Sequence, residues 1–270
     1  MKLDQFRLPL HQLRKRQDLW SEIAIWIPIL GIVGSEGLLF VGFTGYALWG
    51  HFVTLVLTSL LPLRIEDETT TFQALLLVPL FRLVNLGMPV FFQLTLYWFP
   101  LIYGPLIPGL YLLKRSHHPA DPTINWKSTV LLLPVIVGIA LVFAEIEYWI
   151  IQPVALIPEW NLLNLALISG VMVGFVGFVE ELLFRGVLQP TFQTRFGRVQ
   201  GLLLASGLFG LMHSGYGHPL EVLFAFAIGL LLGLIYDKTE SLGFITLIHG
   251  LLNVFLFAVL PLHGSLGAKL

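Results

Sequence analysis

The sequence contains no cysteine and few charged residues. Only 11% of its 270 residues are charged and 56% are hydrophobic, whereas ordinary soluble domains carry about 25% charged residues. The absence of cysteine excludes disulfide bonds, thiolate metal ligands and a cysteine nucleophile, and it leaves the redox compartment undetermined. The formal net charge of -1 gives no indication of nucleic-acid binding. This composition excludes an ordinary soluble globule.

Long apolar runs, separated by short polar breaks, occupy most of the chain. A helix needs about 20 apolar residues to span a bilayer, and the backbone polar groups of a span must be hydrogen-bonded within it. Stretches such as LLLPVIVGIALVF do not show the alternation of a transmembrane β-strand. The sequence therefore predicts an all-α fold, a polytopic transmembrane helical bundle of about seven or eight membrane helices in a lipid bilayer.

The predicted spans follow the apolar runs. A short apolar piece before residue 37 is interrupted by Pro28 and Glu36, so whether it crosses the membrane stays open. Pro79 and Arg82 interrupt another piece, which predicts a shallow or broken helix after residue 72. The remaining spans are predicted at about 37–61, 90–113, 128–151, 162–188, 199–213, 220–236 and 242–260.

Basic residues indicate how the bundle is oriented and divided. The cluster at residues 14–16, the loop 114–127 and the turn that bears Arg195 and Arg198 fall on one side of the predicted spans. Because loops rich in Lys and Arg face the cytoplasm, we expect a cytoplasmic N-terminus and an integral, multi-pass protein of the cell inner membrane. The polar loop also predicts three parts: N-terminal helices of unassigned role at 1–127, a core at 128–260 and a tail at 261–270.

The run VGFVGFVEELLFRGVLQ, residues 173–189, places two carboxylates inside an apolar helix. A charge at the centre of a span costs about 2.5–3.5 kcal/mol, so such residues are usually functional. Glu181 and Arg185 are four residues apart with the acid first, which favours an ion pair. Glu180 lies about 100° around the helix and has no partner at that spacing. Desolvation makes an unpaired carboxylate a stronger base, able to take a proton from water.

Two later helices carry the other polar groups. Phe209 and His213 are four residues apart on one of them, and His249 and Asn253 on the last. At a rise of 1.5 Å per residue these groups and Glu180 lie roughly 10 to 21 Å from the inner surface, so one polar pocket can hold them all. Glu180, aided by His213, could activate water as a general base, and His249 with Asn253 could donate hydrogen bonds to an oxyanion.

A zinc site is the alternative use of the same residues. Two histidines and one glutamate, here Glu180, His213 and His249, are a known ligand set for Zn²⁺. The H-E-x-x-H motif of the usual zinc-protease helix does not occur in the sequence. The residues alone do not decide between the two chemistries.

Three motifs in this order resemble the CPBP family of intramembrane proteases, which includes type II CAAX prenyl endopeptidases and bacteriocin-processing or self-immunity proteins. The resemblance covers about residues 128–260. The motifs are E-E-x-x-x-R at Glu180, Glu181 and Arg185, F-x-x-x-H at Phe209 and His213, and H-x-x-x-N at His249 and Asn253.

The resemblance implies an intramembrane endopeptidase that cleaves a hydrophobic or lipidated peptide. In it Glu180 activates water with His213, while His249 and Asn253 support the oxyanion. The second glutamate and the arginine of the first motif hold the site together. This glutamate-type mechanism requires no cofactor, whereas a metallo-type mechanism would use Zn²⁺.

Two other classes of protein compete with the enzyme. A noncatalytic scaffold or bacteriocin-immunity protein of the same fold would keep the bundle only to bind a hydrophobic peptide. A transporter would use the intramembrane charges as a substrate path, but it would favour an internal repeat, and none stands out in the sequence. Replacing Glu180 distinguishes the enzyme from the scaffold.

The remaining ionisable residues of the apolar runs receive simpler interpretations. Glu36, His51 and Arg82 are predicted to be buried partners of unidentified groups. Glu145 and Glu147 are interpreted as marking an interfacial helix end, with lining of the cavity or contact with the substrate as the alternative. Glu221 is interpreted as a cap of the helix that follows an outer turn.

Overall fold

The computed structural model describes residues 10–87, 96–117 and 126–263, and within these ranges the regular structure is entirely helical. The all-α prediction is therefore confirmed. The ten helices are α1 (Leu10–Phe40), α2 (Thr44–Leu60), α3 (Thr69–Gly87), α4 (Trp98–Tyr103), α5 (Leu106–His117), α6 (Trp126–Ile151), α7 (Leu162–Phe196), α8 (Arg198–Leu211), α9 (Pro219–Thr239) and α10 (Leu242–His263).

Seven of these helices are long and apolar enough to cross a membrane, namely α1, α2, α3, α6, α7, α9 and α10. Their outer faces carry large exposed side chains such as Trp20, Leu131 and Leu162. Apolar patches of this extent are unfavourable in water but are compatible with acyl chains. The protein is an integral, multi-pass membrane protein, as the sequence predicted.

The first two helices differ from the predicted spans. The apolar piece left undecided is part of α1, which continues through Pro28. The predicted span at 37–61 is wrong at its start, because α1 ends at Phe40 and a turn separates it from α2. Gly42 in this turn has φ +86°, a conformation that glycine adopts without a steric penalty. Hydropathy does not register such a turn because the residues around it remain apolar.

The next two predictions also need correction. Pro79 lies inside α3 without breaking it, and residues from Glu66 to Gly87 form one candidate span. The full span predicted at 90–113 is wrong in its described part, since α4 and α5 are separate short helices. Gly104 and Pro105 form the turn between them, and a proline has no N–H to continue the first helix. Residues 88–95 lie outside the described ranges.

The predicted span at 199–213 is a 14-residue helix, α8. Its length of about 21 Å is short of the roughly 30 Å of a hydrocarbon core, and it is not one of the candidate spans. His213 follows its C-terminal end and thus lies within the bundle. The predictions at 128–151, 162–188, 220–236 and 242–260 correspond to α6, α7, α9 and α10.

Helix α7 is irregular where it carries the two glutamates. Phe178–Glu181 is a single α-helical turn between two π-helical stretches, Met172–Gly177 and Leu182–Leu188. Such wide turns occur often at functional sites, because they change the direction of the side chains that follow. The irregularity therefore lies on both sides of the predicted site.

Two glycines allow α7 and α10 to approach closely. A Cβ atom on Gly250 would lie 2.6 Å from Val173 Cα, and one on Gly177 would lie 3.0 Å from the Gly250 backbone nitrogen. Real Cβ atoms essentially never pack at 2.6 Å and rarely at 3.0 Å, so the two backbones can lie this close because both residues are glycine. The contact brings His249 of α10 beside the glutamates of α7.

Two ion pairs connect neighbouring helix ends at one end of the bundle. Arg195, near the end of α7, pairs with Glu68, in the turn before α3, at 2.7 Å. Near the same end Arg198 pairs with Asp237 of α9 at 3.0 Å. These contacts place the turn at 66–68, the α7–α8 turn and the end of α9 at one end of the molecule.

Candidate active site

Arg185 and His249 both hydrogen-bond to Glu181, the second glutamate of the first motif. Arg185 Nη1 donates to Glu181 Oε1 at 2.8 Å, and both side chains are buried. The predicted i,i+4 ion pair is therefore present. Arg185 Nη2 donates to the carbonyl oxygen of Gly229 in α9 at 3.1 Å, and His249 Nδ1 of α10 donates to Glu181 Oε1 at 2.7 Å. The pair connects three helices.

Glu180 has a partner that the sequence did not predict. The hydroxyl group of Tyr103, at the end of α4, donates to Glu180 Oε1 at 2.6 Å. The other carboxylate oxygen, Oε2, lies 3.7 Å from His249 Nε2. The prediction of an unpaired Glu180 is wrong because it considered only the neighbours on the same helix, whereas Tyr103 lies 77 residues earlier in the sequence.

His213 lies in the turn after α8, outside the seven candidate spans. Its Nδ1 is 3.0 Å from the carbonyl oxygen of Phe209, and a carbonyl only accepts, so Nδ1 carries the hydrogen. Burial lowers the pKa of His213, so the imidazole is neutral at pH 7 and Nε2 keeps a lone pair. A neutral imidazole of this tautomer can accept a hydrogen bond from water.

Two adjoining cavities bring the predicted residues together. The larger, of about 350 Å³, is lined by Glu180, His213 and Tyr103 among others, and it can hold several waters at about 30 Å³ each. The smaller, of about 20 Å³, is lined by His213, His249 and Asn253. His213 and Phe209 line both cavities. Asn253 is therefore beside the larger cavity rather than in it.

Phe209 lies at the centre of this arrangement. Its ring centroid is 5.0 Å from that of His213 and 5.7 Å from that of His249. The Arg185 guanidinium carbon lies 4.5 Å from the same centroid, within the range of a cation–π contact. Phe209, the first residue of the F-x-x-x-H motif, therefore packs against three of the predicted site residues.

The residues proposed as an alternative zinc site do not converge on one point in this arrangement. Among the described residues, no group of three His, Cys, Asp or Glu side chains comes close enough to hold a metal. Their hydrogen bonds leave ligand atoms free, because Nδ1 of His249 and Nδ1 of His213 are the donors and each Nε2 is unoccupied. The choice between a glutamate-type and a metallo-type mechanism therefore belongs to the proposed function.

A buried network from the N-terminal helices supports the turn that carries His213. Arg82 makes two hydrogen bonds of 2.7 Å to the Glu36 carboxylate, and His51 Nε2 lies 3.2 Å from it. The hydroxyl of Ser214, next to His213, donates to the same carboxylate. The three predicted buried residues are therefore partners of one another. No local spacing could reveal this, because Glu36 and Ser214 are 178 residues apart.

Glu147 and Glu221 form a buried pair of carboxyl groups. Their exposed fractions are 7% and 0%, and the two side chains are close neighbours that interact. Glu147 is buried and lines the smaller cavity. Its interpretation as an interfacial helix end is therefore wrong, and the alternative, that it lines the cavity, is confirmed. The capping role of Glu221 is wrong, because its buried side chain meets Glu147.

A comparison with known protein families gives a match for part of the chain. Residues 160–255 match the model of a family described as Type II CAAX prenyl endopeptidase Rce1-like. The matched segment contains all three motifs, and the resemblance predicted from them is confirmed there. It covers less than half of the chain and leaves out α1 to α6, including Tyr103 and Arg82. No curated protein and no solved structure gives a significant match.

Proposed function

We propose that the chain is an intramembrane endopeptidase, because residues 160–255 match the type II CAAX prenyl endopeptidase Rce1-like family and the chain is a multi-pass membrane protein. It hydrolyses a peptide bond of a hydrophobic or lipidated peptide, with a prenylated peptide as the substrate that the family suggests. The observation that carries the proposal is a carboxylate, Glu180, on a cavity of about 350 Å³ shared with His213.

Glu180 is the general base of the proposed reaction. Its Oε1 is occupied by Tyr103, so Oε2 takes the proton of a water in the larger cavity. The lone pair on His213 Nε2 accepts a hydrogen bond from the second hydrogen of this water and orients its oxygen. The oxygen attacks the peptide carbonyl carbon, and the carbonyl oxygen becomes an oxyanion.

His249 and Asn253 stabilise the oxyanion in this proposal. Nδ1 of His249 donates to Glu181, so the imidazole can donate a second hydrogen bond, from Nε2, only when both ring nitrogens carry hydrogen. In this form Nε2–H and the amide of Asn253 donate to the oxyanion. The C–N bond breaks as Glu180 Oε2 returns its proton to the leaving amine. These steps require no cofactor.

The orientation of the protein belongs to the same proposal. The N-terminus, the loop at 114–127 and the α7–α8 turn carry the basic residues and face the cytoplasm of a cell with an inner membrane. The ion pair between Arg195 and Glu68 supports a common end for the α7–α8 turn and the turn before α3.

The experiment that tests the function replaces the proposed base. Glu180→Gln keeps the size of the side chain but removes its basicity, so cleavage of a farnesylated CAAX peptide by purified protein should fall about 10²- to 10⁴-fold. Glu145→Gln is the matched control, because Glu145 is a membrane glutamate that lines neither cavity. Wild-type activity in the Glu180 variant would refute the mechanism.

The natural substrate needs a second measurement. Membrane peptides from cells that contain wild-type protein should be compared with those from cells that contain the Glu180→Gln variant. Peptides that accumulate uncleaved only in the variant are the substrates. Identical peptide sets, together with no cleavage of the farnesylated peptide by the wild type, would contradict the endopeptidase proposal and favour a noncatalytic role.

A further inference from the structure

Tyr103 is the residue of the N-terminal half that contacts the proposed base directly. It ends α4, outside the matched segment, and is 4% exposed. Its hydroxyl donates to Glu180 Oε1 at 2.6 Å and it lines the larger cavity. In the part of the chain that the structure describes, no other side chain donates a hydrogen bond to Glu180, since His249 Nε2 is too distant at 3.7 Å.

The tyrosine ring is held rigidly. It meets the ring of Phe81 edge-on, with centroids 5.0 Å apart, and the ring of Phe99 at 6.0 Å. Burial, and then the nearby Glu180 carboxylate, raise the pKa of Tyr103 well above its usual value. The phenol thus keeps its proton at any pH at which the protein works, and it is a permanent donor with a fixed direction.

Helix α4 is placed so that this contact can form. Gly104 follows Tyr103, and a Cβ atom there would lie 3.5 Å from the Phe175 ring of α7. Phe175 belongs to the first π-helical stretch of α7, just before the turn that carries Glu180. The end of α4 therefore packs directly on the irregular part of α7.

We propose that Tyr103 is a positioning residue that holds Oε1 of Glu180, so that Oε2 is the oxygen that takes the proton from water. The inference rests on the proposed function. A carboxylate on a glutamate side chain has several rotamers, and a single charge-assisted hydrogen bond from a rigid donor selects one of them. The N-terminal helices thereby supply part of the site.

Tyr103→Phe tests this inference because it removes only the hydroxyl group. The ring contacts with Phe81 and Phe99 remain, so the fold is retained. Loss of a hydrogen bond to a charged group should lower kcat about 10- to 100-fold, with KM for the farnesylated peptide within about twofold. Tyr111→Phe, at an exposed position of α5, is the matched control and should equal the wild type in both constants.

The outcomes separate the inference from the proposed function. Loss of activity in Glu180→Gln with wild-type kcat in Tyr103→Phe overturns the role of Tyr103 alone. Activity retained in Glu180→Gln overturns the proposed function itself. A raised KM with unchanged kcat assigns Tyr103 to substrate binding, and a lowered melting temperature that accounts for the lost activity makes it structural. Either of these results also overturns the positioning role.

Discussion

Glu181 and Arg185 form an ion pair with almost no exposure to solvent, at 0% and 1% for the two side chains. Such a pair stabilises a fold little compared with apolar residues of the same volume, because both charges must be desolvated. Its value here is geometric. The same Glu181 oxygen accepts from His249, so the pair sets where the imidazole of α10 lies relative to Glu180.

Removal of the arginine should therefore be costly. Arg185→Ala leaves Glu181 buried without its cation, and we expect a loss of about 3–5 kcal/mol in the free energy of unfolding. Arg198→Ala is the control, since Arg198 also pairs with a carboxylate but is 71% exposed, and it should cost less than about 1 kcal/mol. Unfolding in mixed detergent micelles measures both. Equal losses in the two variants would contradict the expectation that burial makes loss of the Glu181–Arg185 pair more costly.

Local spacing explains what could be predicted at this scale. The contact between Glu181 and Arg185 follows from one helical turn, and a sequence displays such neighbours directly. The contact between Tyr103 and Glu180 joins residues 77 positions apart, and so depends on how helices pack. Tyr103 carries no signal in the sequence that separates it from the other tyrosines.

At the scale of helices, the site depends on the close approach of α7 and α10. His249 is adjacent to Gly250, whose backbone faces Val173 of α7. A shift of α10 by the width of a methyl group would move the imidazole relative to both glutamates. The glycine thus determines where its neighbour His249 lies relative to the glutamates.

Gly250→Ala should separate the two helices. The added Cβ would lie 2.6 Å from Val173 Cα, and relief of such overpacking costs about 1–3 kcal/mol. A displacement near 1 Å lowers activity about 100-fold. The control is Gly207→Ala in α8, where a Cβ meets nothing within 4 Å and helix propensity improves. Wild-type activity in the Gly250 variant would contradict the role of this contact.

Hydropathy predicted most helices but not where they break. The four spans after residue 126 were found near their predicted positions, since each is a single apolar run bounded by polar residues. The breaks at Gly42 and Gly104 were missed because apolar residues continue across them. The shortness of α8 matters most for the site, since it places His213 inside the bundle.

At the scale of the whole molecule, the matched segment does not contain all the residues that surround the proposed active site. Tyr103 contacts Glu180, and Glu36 holds the hydroxyl of Ser214 beside His213. These contacts come from α1 and α4, which precede the segment 160–255. The sequence left the first 127 residues without a role, whereas their helices border the cavity and support the turn of the histidine.

The proposed orientation can be tested on the intact protein, because a chain without cysteine gives no background labelling by maleimides. Single cysteines at Thr239, beside the end of α9, and at Glu159, between α6 and α7, occupy exposed positions. If the basic loops are cytoplasmic, a membrane-impermeant maleimide added to intact cells or spheroplasts should label Glu159→Cys but not Thr239→Cys. Permeabilisation should then allow labelling at Thr239→Cys. The reverse pattern would invert the orientation, and labelling of both before permeabilisation would contradict the placement of the two positions on opposite sides of the membrane.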